Sequence, residues 1–368
     1  MRKESTKYGS AAARWAGVGP YYAMFPVAFA EKIIARHTAP GDVVLDPFAG
    51  RGTAVFSAAV RGRRGIGMEI NPVGWVYSQA KLHPACHDSV VRRLVEIEKL
   101  SHRYRRAASN LPSFFRHCYD KRVLQFLTAA RANLDWRNRK ADCTAMAFLL
   151  VNLHGKRKDS LSNQMRQTKS MSPAYAIRWW RDRNMRPPEV DPLAFLLKRM
   201  EWRYAKGVPK LADSRVYLGD SVQILPQVRR YWATRHKRAR LLLTSPPYYG
   251  VTNYHYDQWL RLWLLGGRPT SCQLGGKHRG KFENKLQYRQ LLFDVFSKAK
   301  GLLRVDATIY VRTDRRKITL NTTREVLREI FPDHHLRYQS RPYVRPTQTH
   351  LFGHAEPRVG EIDLILTP

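Results

Sequence analysis

Asp42-Val43-Val44-Leu45-Asp46 is a short apolar run that passes straight into Pro47-Phe48-Ala49-Gly50-Arg51-Gly52-Thr53 and then into the helix-forming stretch Ala54 to Val60. The order is strand, glycine loop, helix. Gly65-Ile66-Gly67-Met68 follows as a second strand ending at Glu69, so the two strands and the helix between them make a βαβ unit, right-handed by default. A strand-to-helix turn built on glycines lets backbone approach a ligand closely, at a place where helix N–H groups point outward. These features predict an open α/β sheet with its ligand at the carboxyl ends of the strands.

Further strands are expected at Arg215-Val216-Tyr217-Leu218, at Ala239-Arg240-Leu241-Leu242-Leu243, from Asp306 to Val311 and from Glu361 to Leu366. Between the two groups of strands the periodicity is helical. Val90, Leu94 and Ile97, then Val123, Leu127, Ala130 and Leu134, recur at three and four residues, and a helix holding Ala145 to Val151 is expected to end by Gly155. The expected organisation is a cofactor-binding half over residues 1–86, a mostly helical insertion over 87–212 and a catalytic half over 213–368.

Three acids fall at or just after strand ends around the glycine loop. Gly50 and Gly52 are placed to lie against the amino-acid part of a cofactor, whose ammonium group Asp46 can receive directly or through water. Glu69 can accept hydrogen bonds from both hydroxyls of a ribose, and Asp220, in Leu218-Gly219-Asp220-Ser221, can accept from an adenine amino group. Each acid alone would also suit a helix cap or a surface turn; three of them around one glycine loop favour a ligand.

Thr244-Ser245-Pro246-Pro247-Tyr248-Tyr249-Gly250 follows the apolar strand directly. Two successive prolines fix φ and remove two N–H donors, which leaves a rigid loop rich in acceptors. The exocyclic amine of a nucleobase is a poor nucleophile, because its lone pair is delocalised into the ring. Acceptance of its two N–H bonds by the Ser245 oxygen and the Pro246 carbonyl would let the nitrogen rehybridise and aim its lone pair at a methyl donor. Tyr248 is expected to stack on the base, which must first leave its duplex.

These segments resemble the amino-group DNA methyltransferases, the family that makes N4-methylcytosine and N6-methyladenine. Asp46-Pro47-Phe48-Ala49-Gly50-x-Gly52-Thr53 is similar to its cofactor loop, Gly67-Met68-Glu69-Ile70-Asn71-Pro72 to its ribose motif, Ser245-Pro246-Pro247-Tyr248 to its catalytic tetrapeptide, and Phe25-Pro26 to the segment before the cofactor loop. The resemblance implies a Rossmann-like S-adenosyl-L-methionine-dependent methyltransferase sheet. It implies cofactor contacts from Phe25, Pro26, Asp46, Pro47, Phe48, Gly50, Gly52, Thr53, Glu69, Ile70, Asp220 and Ser221, and catalysis by Ser245, Pro246, Pro247 and Tyr248 without metal or covalent intermediate. A serine at the first position of the tetrapeptide looks like the cytosine-N4 enzymes. Adenine N6, an RNA base amine and a silent nucleic-acid-binding homologue are the alternatives. Arg51 and the helical insertion depart from the simplest arrangement of the family.

Lys and Arg total 65 against 29 Asp and Glu, a net charge of +36, which calls for a polyanionic partner; double-stranded DNA is the expected one. The insertion carries the expected contacts to it: Lys156, Arg157, Asn163, Gln164, Arg166 and Lys169, with Trp179-Trp180 as residues that would stack on bases or pack a core. His255, in Asn253-Tyr254-His255-Tyr256-Asp257, is expected to be structural. Cys86, Cys118, Cys143 and Cys272 show no paired spacing, so neither a zinc knuckle nor a redox pair is expected, and none follows a proline as the nucleophile of a cytosine-C5 enzyme would. Met1-Arg2-Lys3-Glu4-Ser5 leads into no apolar stretch of signal-peptide length. The expected setting is cytoplasmic and nucleoid-associated, with a companion restriction endonuclease and no membrane.

Overall fold

The computed structural model describes residues 8–20, 26–234, 237–250, 254–271, 284–341 and 360–368. They form two compact units, each assembled from separated stretches of chain. One takes Tyr22–Ser78, Lys210–Asn253 and Gly280–Pro368, and the other Met1–Tyr21, Gln79–Pro209 and Tyr254–Arg279.

The first unit is a Rossmann-like α/β sheet of seven strands: β1 (Val43–Asp46), β2 (Arg64–Glu69), β3 (Arg215–Leu218), β4 (Ala239–Thr244), β5 (Leu303–Asp314), β6 (His335–Arg341) and β7 (Glu361–Thr367). Their spatial order is β3-β2-β1-β4-β5-β7-β6. The first five run parallel, and β7 is antiparallel to both β5 and β6. The chain steps outward from β1 to β2 and β3, then returns to lay β4 on the other side of β1. The crevice at such a reversal is where open α/β sheets bind ligands. Pairing of Val44 with Leu241 and Leu45 with Leu242 carries Asp46 and Thr244 to that same edge.

Burial explains why these runs are apolar throughout. Val43, Leu45 and Leu242 join a core cluster with Leu225, Leu292, Phe296 and Leu327, while Val44, Leu241 and Leu243 join a second with Ala30, Ile34, Ala54 and Ala58. Alternate side chains therefore enter opposite layers, and both faces of the central strands are covered by helices. The strand that the sequence hides is β6. In His335-Leu336-Arg337-Tyr338-Gln339-Ser340-Arg341 only alternate positions are apolar and the strand lies at the edge of the sheet, so it carries no buried run.

The second unit is helical, with its longer helices at His87–Ser101, Lys121–Asn133, Lys140–Asn152 and Pro192–Tyr204. Asp120 and Asp191 cap two of these, accepting from Arg122 N–H and Ala194 N–H. Helix Lys140–Asn152 has buried residues on every side, which is why its apolar run lacks an amphipathic stripe. Residues 153–172 form no regular element, yet much of this stretch is buried. Fully buried Arg261 ties it down: Nε donates to Leu150 O at 2.9 Å, Nη2 to Gln167 O at 2.5 Å, and Nη1 to Gln258 Oε1 at 2.7 Å. No described helix is long and apolar enough to cross a membrane.

Candidate active site at the carboxyl edge of the sheet

The loop after β1 is shaped by two left-handed residues, Gly50 at φ +55° and Gly52 at φ +71°. A Cβ on Gly52 would lie 2.6 Å from Ser78 Oγ, and a Cβ on Gly74 would lie 2.6 Å from the Gly50 carbonyl oxygen. Helix Pro72–Leu82 therefore packs its first turns directly on the glycine loop. Sequence reading overlooked Gly74, whose signal was a glycine in the opening turn of a helix that follows the Glu69 motif.

Asp46 is buried. Its Oδ1 accepts from Thr244 Oγ1 at 2.7 Å and from Phe48 N–H at 3.2 Å, which ties the end of β1 to the end of β4. Burial pushes the Asp46 carboxyl up to about 7, against the opposing effect of those two hydrogen bonds. A carboxyl held there ionises readily when a cation is brought alongside it. Glu69 is also buried; its Oε1 accepts from Asn71 N–H at 2.7 Å, and Asn71 Oδ1 accepts from Val73 N–H at 3.0 Å. Asn71 Nδ2 is a buried donor with no hydrogen-bond partner among the described residues. Asp220 caps helix Ser221–Ala233 through Val222 N–H at 2.9 Å, and Ser221 Oγ donates to Pro47 O at 2.5 Å, fastening the β3 end to the glycine loop. Phe48 packs partly buried against the core cluster, whereas Ile70 and Pro26 are exposed. Phe25 lies outside the described residues, as do Asn253, Cys272 and the side chain of His255.

A cradle too close for side chains and a buried acid with a raised pKa fit the amino-acid part of S-adenosyl-L-methionine, and an unsatisfied donor beside Glu69 fits its ribose. Asp46, Gly50, Gly52, Glu69 and Asp220 are the residues that would hold it.

In the loop after β4, Ser245 and Pro247 are half-buried while Pro246 and Tyr248 are buried. The Tyr248 ring, expected to stack on a base, is 5% exposed, and its hydroxyl donates to Glu361 Oε1 at 3.4 Å and accepts from Ser245 Oγ at 3.4 Å. Burial, then the charge of Glu361, pushes the Tyr248 hydroxyl well above its ordinary value, and burial likewise raises Glu361 and Asp314. Behind Tyr248 stands a network that sequence reading missed. Arg312 binds Asp363 through Nε at 2.7 Å and Nη2 at 3.1 Å, approaches Glu361 at 3.3 Å, and lies 3.5 Å over the Phe29 ring; Tyr310 donates to Asp363 at 2.7 Å. Its trace in the sequence was Tyr310, Arg312 and Asp314 at alternate positions, flanking the apolar Ile309 and Val311. That pattern puts polar groups on one buried face.

In the helical unit, Lys156, Arg157, Gln164 and Arg166 are exposed. Lys169 pairs with Asp257 at 2.7 Å. Asn163 is fully buried. Its side chain donates to His117 O at 3.3 Å and Met185 O at 3.4 Å and accepts from Gln164 N–H at 3.0 Å, so its amide serves the fold and is not presented to a ligand. Trp180 is buried, donating to Gln164 O at 2.9 Å, while Trp179 stacks on Arg183. Cys118 and Cys143 are buried free thiols and Cys86 is exposed.

The topology defines a Rossmann-like sheet, and the polar groups at its switch point form a candidate ligand site. The sequence model of the DNA methylase family matches residues 2–74, the stretch that carries the glycine loop and Glu69. Over this stretch the chain is similar to the amino-group DNA methyltransferases. It is 33% identical over 66 residues to type II methyltransferase M.MjaII of Methanocaldococcus jannaschii, covering 18% of this chain and 12% of that protein. It is 39% identical over 74 residues to DNA adenine methyltransferase YhdJ of Escherichia coli, 20% of this chain and 25% of that one. It is 41% identical over 54 residues to type II methyltransferase M.Cfr9I of Citrobacter freundii, 15% and 18% respectively. The chain thus spans a quarter or less of the length of these relatives. Because one of the three is an adenine enzyme by name, the matches do not separate cytosine N4 from adenine N6.

Proposed function

We propose that this chain is an S-adenosyl-L-methionine-dependent DNA methyltransferase that modifies an exocyclic base amine, the N4 of cytosine in duplex DNA. The observation that carries the reading is the hydrogen bond from Thr244 to Asp46. It holds the Ser245-Pro246-Pro247-Tyr248 loop against the glycine loop at the switch point of the sheet.

The cofactor supplies an electrophilic methyl group on a sulfonium. Asp46 takes the ammonium end and ionises as it does so, and Glu69 orients the ribose. Ser245 Oγ and the Pro246 carbonyl accept the two N–H bonds of the amine, which localises its lone pair and orients it. The two prolines keep those acceptors from turning away. Glu361, held by Arg312, fixes Tyr248 at the side of the loop and so sets the shape of the pocket. The exposed Lys156, Arg157, Gln164 and Arg166 supply contacts to phosphates and base edges. The setting this reading implies is the cell's own DNA, with a companion restriction endonuclease.

The test is mass spectrometry of nucleosides from plasmid DNA of a methylation-free host that expresses the protein, beside a host that expresses the Ser245→Ala, Tyr248→Ala double variant. N4-methylcytosine present only with the intact protein supports the reading. Methyladenine alone overturns the choice of base, and unmodified DNA overturns DNA as substrate.

A further inference from the structure

The sheet unit holds a second concave site. A cavity of about 110 Å³ is lined by Lys32, Arg36 and His37 of helix Val27–His37, by Arg337 and Gln339 of β6, and by Tyr310, Ile365 and Thr367 of the neighbouring strands, with Ile33 in its wall. Helical and strand periodicities converge here. Lys32 and Arg36 are four residues apart and so share one helix face, while Arg337 and Gln339 are two apart and so share one sheet face. Among the described residues, no acid lines the cavity. Two acids on the adjoining helix and strand are engaged elsewhere: Glu31 pairs with Arg61 at 3.1 Å, and buried Asp363 is held by Arg312 and Tyr310. Lys32, Arg36 and Arg337 are all exposed, and none makes an ion pair among the described residues. Positive charge is concentrated enough that Arg36 and Arg240, after burial, help hold His37 below its usual value.

This cavity does not belong to the site at the carboxyl edge. Tyr310 pairs with Ile365 and Asp314 with Glu361, so the cavity sits four residues back along β5, about 13 Å at the rise of a strand.

We infer that the cavity binds a phosphate group, held by the guanidinium forks of Arg36 and Arg337 and the ammonium of Lys32, with Gln339 and Thr367 as neutral polar partners. Arginine forks match the planar pairs of oxygens on a phosphate, and cations converging from two elements make a site that a single surface lysine does not. The phosphate has two possible sources, a nucleic-acid backbone or a free phosphorylated small molecule. Binding there requires no methyl transfer, so it stands or falls separately from the proposed reaction.

The experiment uses the full chain, an Arg36→Ala, Arg337→Ala variant and a control of equal charge, Arg230→Ala, Arg328→Ala, whose exposed arginines lie outside the cavity. Thermal unfolding is followed with inorganic phosphate or pyrophosphate, and duplex DNA affinity is followed against salt. Phosphate should raise the melting temperature of the wild type and the control by roughly 2–4 °C and leave the cavity variant unmoved. If the source is a nucleic-acid backbone, the log-log salt slope should also become shallower by about 0.9 in the cavity variant relative to the control. Lost phosphate protection with an unchanged slope assigns the site to a small phosphorylated molecule. Equal behaviour of the cavity variant and the control in both measurements overturns the inference, and an Arg36→Lys, Arg337→Lys variant that keeps most of the protection guards against a loss due to misfolding.

Discussion

Both units bury polar and charged side chains, and they use them in opposite ways. In the helical unit, Arg261 serves carbonyls and an amide of an irregular stretch, Asn163 does the same, and Arg93 locks onto buried Asp142 at 2.5 Å. These groups satisfy backbone that has no ladder of its own. In the sheet unit the buried acids Asp46, Glu69 and Asp314 end parallel strands, and half-buried Glu361 begins antiparallel β7 at the same edge of the sheet. Asp46 and Glu69 accept from nearby backbone N–H groups, at 3.2 and 2.7 Å, and Asp46 also ties β1 to β4. Acids with raised pKa values gathered at one edge of a sheet mark a candidate ligand site.

The contrast can be broken by substitution, and the largest effect should fall in the helical unit. Arg261→Ala should destabilise by about 3–5 kcal/mol, since several buried acceptors lose a charged donor together. Denaturant unfolding checks this, and a loss under about 1 kcal/mol would remove the structural role assigned to that side chain.

Asp46 should behave differently, as a reserve of pH-dependent stability. Its carboxyl is raised in the folded protein from 3.8 to about 7, so its contribution is fully present below about pH 4 and is lost as pH rises to about 7. Asp46→Asn should flatten that part of the stability profile and weaken S-adenosyl-L-methionine binding by roughly tenfold or more, the loss of one charge-assisted contact. Calorimetry in buffers of different ionisation enthalpy should show the intact protein releasing a proton on binding near pH 6. Binding without proton release would separate Asp46 from the cofactor's ammonium.

Gly74→Ala should come next. Its new methyl meets the Gly50 carbonyl at 2.6 Å, so the glycine loop or the helix must shift, at a cost of about 1–3 kcal/mol and with weaker cofactor binding. Unchanged affinity in a titration would show that the loop can move without consequence. The smallest effects sharpen the contrast within a single dipeptide. Asn163→Ala should lower stability by about 1–3 kcal/mol, while Gln164→Ala should stay within about 0.5 kcal/mol and weaken only DNA binding. Comparable stability losses for both would erase the distinction between structural and presented amides in this stretch.

Much of the sheet was legible in the sequence because its strands are buried on both faces. The runs at Val43–Asp46, Ala239–Thr244 and Glu361–Thr367 stand out as apolar, and glycines stand where φ must be positive. Edge strand β6 was not legible, since of its described side chains all but Leu336 are exposed. In the 153–172 stretch the sequence shows basic, amide and hydroxyl side chains without indicating which of them point inward. Asn163 and Gln164 look equivalent as letters, and only packing makes one of them part of the core.

By itself the sequence determined the local geometry: where the buried strands extend, where the loop after β1 turns, and that two prolines stiffen the loop after β4. These properties are set within a few residues, by φ restrictions and by the period of burial. The tertiary structure alone decided that Thr244 meets Asp46 across 198 residues of chain, that Glu361 reaches Tyr248, and that Lys32 and Arg36 face Arg337 around one cavity. Strand order brings those groups together, and strand order depends on which surfaces bury each other over the whole sheet, which no local stretch of sequence contains.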